Sequence, residues 1–159
     1  MKKQIINGLA TGFYFGKIPF MPGTFGTVWG IPLAWLLMKT GLIPYMVISV
    51  VFILIASFIA ELHERYTHAH DPSEIVIDEV VGYVIAMTWL PNTWQSYLGA
   101  FIAFRFFDIL KPFPIGAIDR RIKGGLGTVL DDVAAGLAAN FVLQIIFMQT
   151  YWLGERWYG

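Results

Sequence analysis

The feature that most constrains the fold is a run of nineteen residues, 42–60, that carries no charge and is dominated by Ile, Val, Leu and Phe. A run of this length approaches the roughly 20 apolar residues that an α-helix needs to cross a bilayer. The composition agrees, because 57% of the residues are hydrophobic and 14% are charged, against roughly 45–50% and 25% in soluble domains. The sequence therefore predicts a helical integral membrane protein.

Four further apolar segments accompany this run, and a chain of 159 residues suits one domain, 1–159. Gly30 and Pro32 interrupt the first of them and favour a broken or tilted helix there. We expect the third and fourth of the five segments to form a hairpin about Pro91. The predicted fold class is all-α, a small helical integral membrane protein with about five hydrophobic segments. The four further segments are residues 25–38, 80–90, 97–107 and 133–153.

The basic residues divide unequally between the two sides of this layout. With a cytoplasmic N-terminus, nine of the eleven lysines and arginines fall on the inner side, and two, Lys39 and Arg156, fall on the outer side. This asymmetry satisfies the positive-inside rule. Ten of the eleven acidic residues also fall inside, with Glu155 outside. Acidic residues contribute little to that rule, so their segregation predicts an acidic site at the cytoplasmic face.

Residues 104–115, FRFFDILKPFPI, place three charges within an apolar run. In a helix, Arg105, Asp108 and Lys111 recur every three residues and share one stripe. Proline at position 112 disfavours helix at the residue before it, so we expect Lys111 at or just beyond the helix C-terminus. Either a structural line of salt bridges or a functional site accounts for this stripe.

Five carboxylates lie at the membrane-proximal ends of apolar segments: Asp78, Glu79, Asp108, Asp131 and Asp132. Gathered together, they would repel one another unless a cation lay among them. Oxygen ligands suit a hard ion, Mg²⁺ before Mn²⁺ or Ca²⁺, and Mg²⁺ commonly joins carboxylates to phosphate. The five acids are the predicted metal ligands, and one of them would remain as a general base. Each acidic pair would also stabilise a helix N-terminus by itself.

Candidate phosphate ligands accompany these acids. Lys111 and Arg105 would neutralise phosphate charge. The loop of residues 22–27 enters a helix, and its amides, with the hydroxyls of Thr24 and Thr27, could cradle a phosphate group. The loop lacks the lysine of a P-loop, so this part of the prediction is the weaker one.

Several other kinds of site are disfavoured. The chain has no cysteine, which excludes thiolate chemistry, and its net charge of zero gives no basic surface for nucleic acid. A solvated loop explains His63, His68 and His70 better than a transition-metal site, because their spacing on a helix face is poor. The alternative to an enzyme is a small membrane transporter or channel with a clustered acidic cation site. It predicts charges in mid-span, not at segment ends.

Four stretches together resemble the phosphatidylglycerophosphatase A family: residues 23–37, 71–82 (DPSEIVIDEVVG), 104–115 and 125–136 (GLGTVLDDVAAG). The resemblance implies a Mg²⁺-dependent enzyme that removes the terminal phosphate of phosphatidylglycerophosphate to give phosphatidylglycerol. It also implies a multi-pass protein of the bacterial inner membrane whose active site faces the cytoplasm. The expected partners are the lipid substrate and the bilayer.

The resemblance assigns roles to the charged positions that match its motifs. Lys111 is similar to a catalytic phosphate ligand of the family, and Arg105 to a second phosphate ligand. Five acids are similar to the family's metal-binding and catalytic residues. They are Asp78, Glu79, Asp108, Asp131 and Asp132.

Overall fold

The computed structural model describes residues 2–12, 16, 21–67 and 74–153. Within these residues the chain forms seven α-helices and no strand, which confirms the predicted all-α fold. The helices are α1 (Lys2–Ala10), α2 (Pro22–Met38), α3 (Leu42–Thr67), α4 (Ile77–Ala86), α5 (Trp94–Leu110), α6 (Ile115–Arg121) and α7 (Gly125–Gln149).

Five helices, α2, α3, α4, α5 and α7, alternate in direction, so helix ends gather at two opposite ends of the bundle. The starts of α2, α4 and α7 meet the ends of α3 and α5 at one end, which we call the acidic end. The end of α2, the start of α3 and the turn after α4 meet at the other, where the start of α5 contacts the end of α7. We call this the aromatic end, after its exposed Trp35, Trp89, Trp94, Tyr151 and Trp152.

The five predicted hydrophobic segments do not correspond to five membrane spans. Among the described helices, α3 with 26 residues and α7 with 25 are long and apolar enough to cross a membrane. α2 and α5 have 17 residues each and α4 has 10, or about 26 Å and 15 Å of helix against roughly 30 Å of hydrocarbon. Each of the five apolar segments lies largely in a helix, although residues 87–90 and 150–153 follow the ends of α4 and α7. Three of those helices are too short to span.

The apolar surface of α3 faces outwards. Ile43, Val47, Val50, Leu54 and Phe58 are each between 57% and 69% exposed. Their spacing of three or four residues places them along one side of the helix. Because no other part of the described chain covers this stripe, it is the surface best suited to contact lipid.

α4 lies at the centre of the bundle and crosses α7 at two glycines. A Cβ added to Gly136 would overlap the carbonyl oxygen of Gly82, and one added to Gly82 would lie 2.8 Å from the carbonyl oxygen of Asp132. Gly82 follows Asp78 by four residues, and Gly136 follows Asp132 by four, so each acid shares a helix face with its glycine. The close crossing therefore brings acids from two helices together.

The N-terminus of α2 lies against the start of α4. Residues 22–27, expected as a loop, form the first turns of α2, because Pro22 is a favoured first helical residue. A Cβ on Gly26 would lie 2.9 Å from the carbonyl oxygen of Val76, and one on Gly23 would lie 2.8 Å from Arg105 Nη1. Glycine at both positions therefore allows α2 to approach the acidic end closely.

The chain reverses direction after α5. As predicted, Lys111 lies just beyond the helix, which ends at Leu110, and it adopts the left-handed conformation with φ 42°. Pro112 and Pro114 follow within the turn that leads into α6. The short helix α6 then packs against α7, which brings the residues after the turn back towards Lys111.

Candidate active site

A cavity of about 320 Å³ opens at the acidic end between the ends of α2, α4, α5 and α7. It brings together all five predicted acids and both predicted cations, although these come from three separate stretches of the sequence. Its lining residues are Met21, Pro22, Gly23, Ile75, Asp78, Glu79, Arg105, Asp108, Lys111, Thr128, Asp131 and Asp132.

Three of the acids, Asp78, Glu79 and Asp132, converge on one point and are called here the converging acids. Each offers an oxygen, and these oxygens lie within 4.8 Å of one another. Asp78 and Glu79 occupy the first turn of α4, where Asp78 Oδ1 accepts the backbone N–H of Glu79 at 3.0 Å. Asp132 reaches them from α7 across the Gly82–Gly136 crossing.

The converging acids have the properties of a cation site. Glu79 Oε2 and Asp132 Oδ2 are buried, and neither has a hydrogen-bond partner among the described residues. A buried carboxylate oxygen without a partner is costly, and a metal ion would satisfy both atoms at once. Three carboxylates with no sulfur or imidazole ligand suit a hard divalent ion. The residues present therefore fit a metal ion.

The electrostatics of Glu79 agree with this interpretation. Burial, and then the neighbouring carboxylates of Asp78 and Asp108, raise the pKa of Glu79 well above its usual value. The charged form of Glu79 is thus disfavoured in the protein alone. A bound cation would reverse that preference.

The other two acids, Asp108 and Asp131, already have cationic partners and are called here the paired acids. Arg105 Nη1 donates to Asp108 Oδ2 at 2.6 Å, three residues further along α5. Lys111 Nζ donates to Asp131 Oδ2 at 2.6 Å. Asp131 Oδ1 is buried without a hydrogen-bond partner in the described part of the chain, so one oxygen of this acid is held and the other is available.

Lys111 has a second anionic partner, Asp119 of α6, whose Oδ1 accepts from Nζ at 2.9 Å. Burial alone would lower the pKa of Lys111, but the hydrogen bonds to Asp131 and Asp119 outweigh it and raise that pKa. Lys111 is therefore a firmly protonated cation in the cavity wall.

Two simpler interpretations of the charged motifs explain only part of the arrangement. Asp78 and Glu79 do lie in a first helical turn, but Asp131 and Asp132 lie about two turns into α7, whose first turn contains no acid. Helix capping therefore does not account for both pairs. A continuous salt-bridge line along α5 is also incomplete, because Arg105 bonds Asp108 whereas Lys111 bonds residues of α6 and α7.

The cavity does not include every predicted residue. Thr24 and Thr27 are absent from its lining, and the Thr27 hydroxyl donates to the carbonyl oxygen of Gly23 at 2.8 Å within α2. His63 is buried and pairs with Glu74 at 3.2 Å. His68 and His70 lie outside the described residues.

The structure also adds residues that the sequence did not single out. Thr128 lines the cavity and donates to Glu64 Oε1 at 2.7 Å, while Glu61 Oε2 accepts the backbone N–H of Gly125 at 2.8 Å. The end of α3 thus holds the first turn of α7. Glu61 and Glu64 stand three residues apart on one helix face, which was the available sequence signal.

Proteins of known family resemble this chain over most of its length. The family model described as phosphatidylglycerophosphatase A matches residues 8–147. A Haemophilus influenzae protein of that name is 37% identical over 150 residues, covering 93% of this chain and 90% of the relative. An Escherichia coli protein of that name is 35% identical over 153 residues, covering 94% and 83%.

A relative with a different name also matches, a protein of Bacteroides thetaiotaomicron provisionally named phosphatidylinositol-3-phosphatase. It is 35% identical over 145 residues, covering 86% of this chain and 90% of the relative. No solved structure matches the chain. Because the family model covers most of the sequence and two relatives of the same name align over nearly all of it, the chain belongs to the phosphatidylglycerophosphatase A family.

Proposed function

We propose that this protein hydrolyses the terminal phosphate of phosphatidylglycerophosphate, giving phosphatidylglycerol and inorganic phosphate. Membership of the family supports the reaction. The observation that carries the proposal is the cavity itself, in which five acids, one arginine and one lysine from distant motifs line a single space. A metal-dependent phosphomonoesterase uses this combination of a cation site and phosphate-binding cations.

The converging acids Asp78, Glu79 and Asp132 are our proposed metal ligands, with Mg²⁺ as the ion. Small carboxylate sites that leave room for water and phosphate are typical of Mg²⁺. When bound, the ion would polarise a phosphoryl oxygen and acidify a water molecule. Asp108 and Asp131 complete the acidic wall in this proposal, beside the ligands and held by Arg105 and Lys111.

The chain's own groups would bind and orient the substrate phosphate. Arg105 and Lys111 line the cavity, and their protons would stabilise the charge that develops on the phosphoryl oxygens. Asp131 is our candidate general base, because its Oδ1 is unpartnered while Lys111 fixes its other oxygen. It would accept the proton of the attacking water as the bond from phosphorus to the glycerol oxygen breaks, and it would return that proton to the leaving glycerol oxygen to form the hydroxyl of phosphatidylglycerol.

We further propose that the protein resides in the bacterial inner membrane with its acidic end at the cytoplasmic surface. α3 and α7 would cross the bilayer, and the apolar stripe of α3 would contact lipid. Lys39 lies at the aromatic end, whereas several other described basic residues belong to helix ends and turns at the acidic end. This asymmetry supports the orientation. Those residues are Arg65, Arg105, Lys111, Arg120, Arg121 and Lys123.

Two other functions are alternatives to hydrolysis of phosphatidylglycerophosphate. The Bacteroides relative makes a phosphoinositide the second candidate substrate. A cation channel is the candidate outside enzymology, but it requires charges along a path through the bilayer. The five predicted acids instead line a cavity at one end of the helices.

The test is phosphate release by detergent-purified protein from phosphatidylglycerophosphate and, separately, from phosphatidylinositol 3-phosphate. We expect release from the first substrate with Mg²⁺, none after chelation, and recovery when Mg²⁺ is restored. Asp132→Asn serves as the matched inactive control because it preserves side-chain size. Preference for the phosphoinositide would reassign the substrate, and release that is unaffected by chelation would overturn the metal proposal.

A further inference from the structure

Lys111 reaches the cavity from an unusual position. It is the residue after α5, in the left-handed conformation, and its side chain is 29% exposed. A lysine side chain is long and mobile, so an unrestrained ammonium would sample many positions around such a turn. Its location therefore depends on the anions that hold it.

Two carboxylates from two different helices hold the Lys111 ammonium. Asp131 of α7 accepts from Nζ at 2.6 Å, and Asp119 of α6 accepts at 2.9 Å. An ammonium group has three protons, so these two bonds leave one for a ligand in the cavity. Asp119 is absent from the cavity lining, so a phosphate in the cavity would meet Lys111 and not Asp119.

We propose that Asp119 is a positioning residue: together with Asp131 it fixes the Lys111 ammonium between two carboxylates and directs its third proton to the substrate phosphate; this rests on the proposed function. Without Asp119, Asp131 is the remaining anion bonded to Nζ among the described residues. The ammonium would then be held by one hydrogen bond, its third proton would no longer have a fixed direction, and it would bind phosphate less well. The turn after α5 makes this positioning possible, because it brings α6 and Asp119 back against the lysine.

The expected effect is on substrate capture. Asp119→Asn should raise KM about fivefold and change kcat by less than about twofold. An effect of this size is typical of two residues that interact within one hydrogen-bonded network. The effect is modest because the Asp119 side chain is 37% exposed and water partly replaces it. Asp119→Glu, which keeps a carboxylate, should recover at least half of the loss.

A double-mutant cycle separates positioning from general damage. In a Lys111→Met background, Asp119→Asn should change neither KM nor kcat further, because there is no ammonium left to position. Arg121→Gln on the same helix is the control, because Arg121 is exposed and has no ion pair among the described residues. The fold-change that it causes in KM or kcat should be the same in the wild-type and Lys111→Met backgrounds. If Asp119→Asn also multiplies with Lys111→Met, or lowers kcat at constant KM, the proposal is wrong.

The same cycle measured by thermal unfolding in detergent does not depend on activity. Asp119→Asn and Lys111→Met should each lower Tm, and the double variant should unfold no lower than the lower single variant. Additive losses of Tm would overturn the proposal even if the wild-type protein released no phosphate. Absence of phosphate release with coupled Tm values would instead reject the proposed substrate and leave the Asp119–Lys111 coupling established.

Discussion

The converging acids and the paired acids share one cavity and one residue chemistry, yet their surroundings are opposite. Asp78, Glu79 and Asp132 meet with two buried oxygens unpartnered in the described chain. Asp108 and Asp131 meet Arg105 and Lys111 at 2.6 Å. The first group has a deficit of positive charge, whereas the protein itself supplies a cation to the second.

This difference indicates two roles for carboxylates that the sequence analysis treated as one acidic cluster: to bind a metal ion, and to hold a cationic side chain in place. A carboxylate already bonded to a fixed cation has less need of a metal, and it keeps that cation in place. A carboxylate that has a buried oxygen without a hydrogen-bond partner, and no bonded cation, favours an incoming ion. The neighbours Asp131 and Asp132 fall on opposite sides of this division, although they are adjacent in the chain.

The strongest test of the comparison is Asp132→Asn. Because this change removes a proposed ligand, we expect phosphate release to fall by about 10³-fold or more. It also removes one of three repelling carboxylates, so Tm without divalent ions should stay equal or rise. Activity assays and thermal unfolding in a chelator check both parts. A clear fall in Tm would show that Asp132 has a stabilising partner and does not belong with the converging acids.

The matching change among the paired acids is Asp131→Asn, and its stability effect should have the opposite sign. Loss of this carboxylate leaves Lys111 with Asp119 alone, so we expect Tm to fall by about 2–6 °C. Activity should fall about 10²-fold if Asp131 is the general base. Unfolding of both variants under identical conditions makes the comparison, and equal Tm shifts would remove the distinction between the groups.

A third change tests whether the helix crossing assembles the converging acids. Gly136→Ala places a methyl group against the backbone of Gly82, so α4 and α7 must separate at a cost of about 1–3 kcal/mol. Activity should fall about tenfold, and the apparent affinity for Mg²⁺ should weaken. Gly99→Ala is the control, because the atoms nearest to its Cβ would belong to the side chains of Leu143 and Trp152, at 3.1 Å and beyond, and not to backbone.

The smallest effect is expected at the first turns of α2. Thr24 lies outside the cavity lining and is partly exposed, so Thr24→Val should change KM by less than about twofold. Measurement of KM with the lipid substrate checks this expectation. A larger increase would restore the hydroxyl as a phosphate contact and extend the binding site beyond the two cations.

Sequence reasoning predicted the helical class, the position of Lys111 and the charged residues that line the cavity. It succeeded there because apolar periodicity and charge at segment ends are local signals. It failed on the number of spans, because tertiary packing lets α4 remain only 10 residues long. It missed Asp119, since its contact with Lys111 depends on the chain reversal after α5, which no helical spacing encodes.

Asp78 and Asp132 lie close to the point where α4 and α7 cross at their glycines, so a change in the crossing angle moves these two residues little. The carboxylates of Asp78 and Asp132 lie one turn from the pivot, roughly 5 Å, so a tilt of about 10° would move them by only about 1 Å. Helices at the periphery of a membrane protein tilt when bilayer thickness changes. If the protein resides in a bilayer as proposed, a pivot this close to the carboxylates would keep their spacing nearly constant when that bilayer changes in thickness.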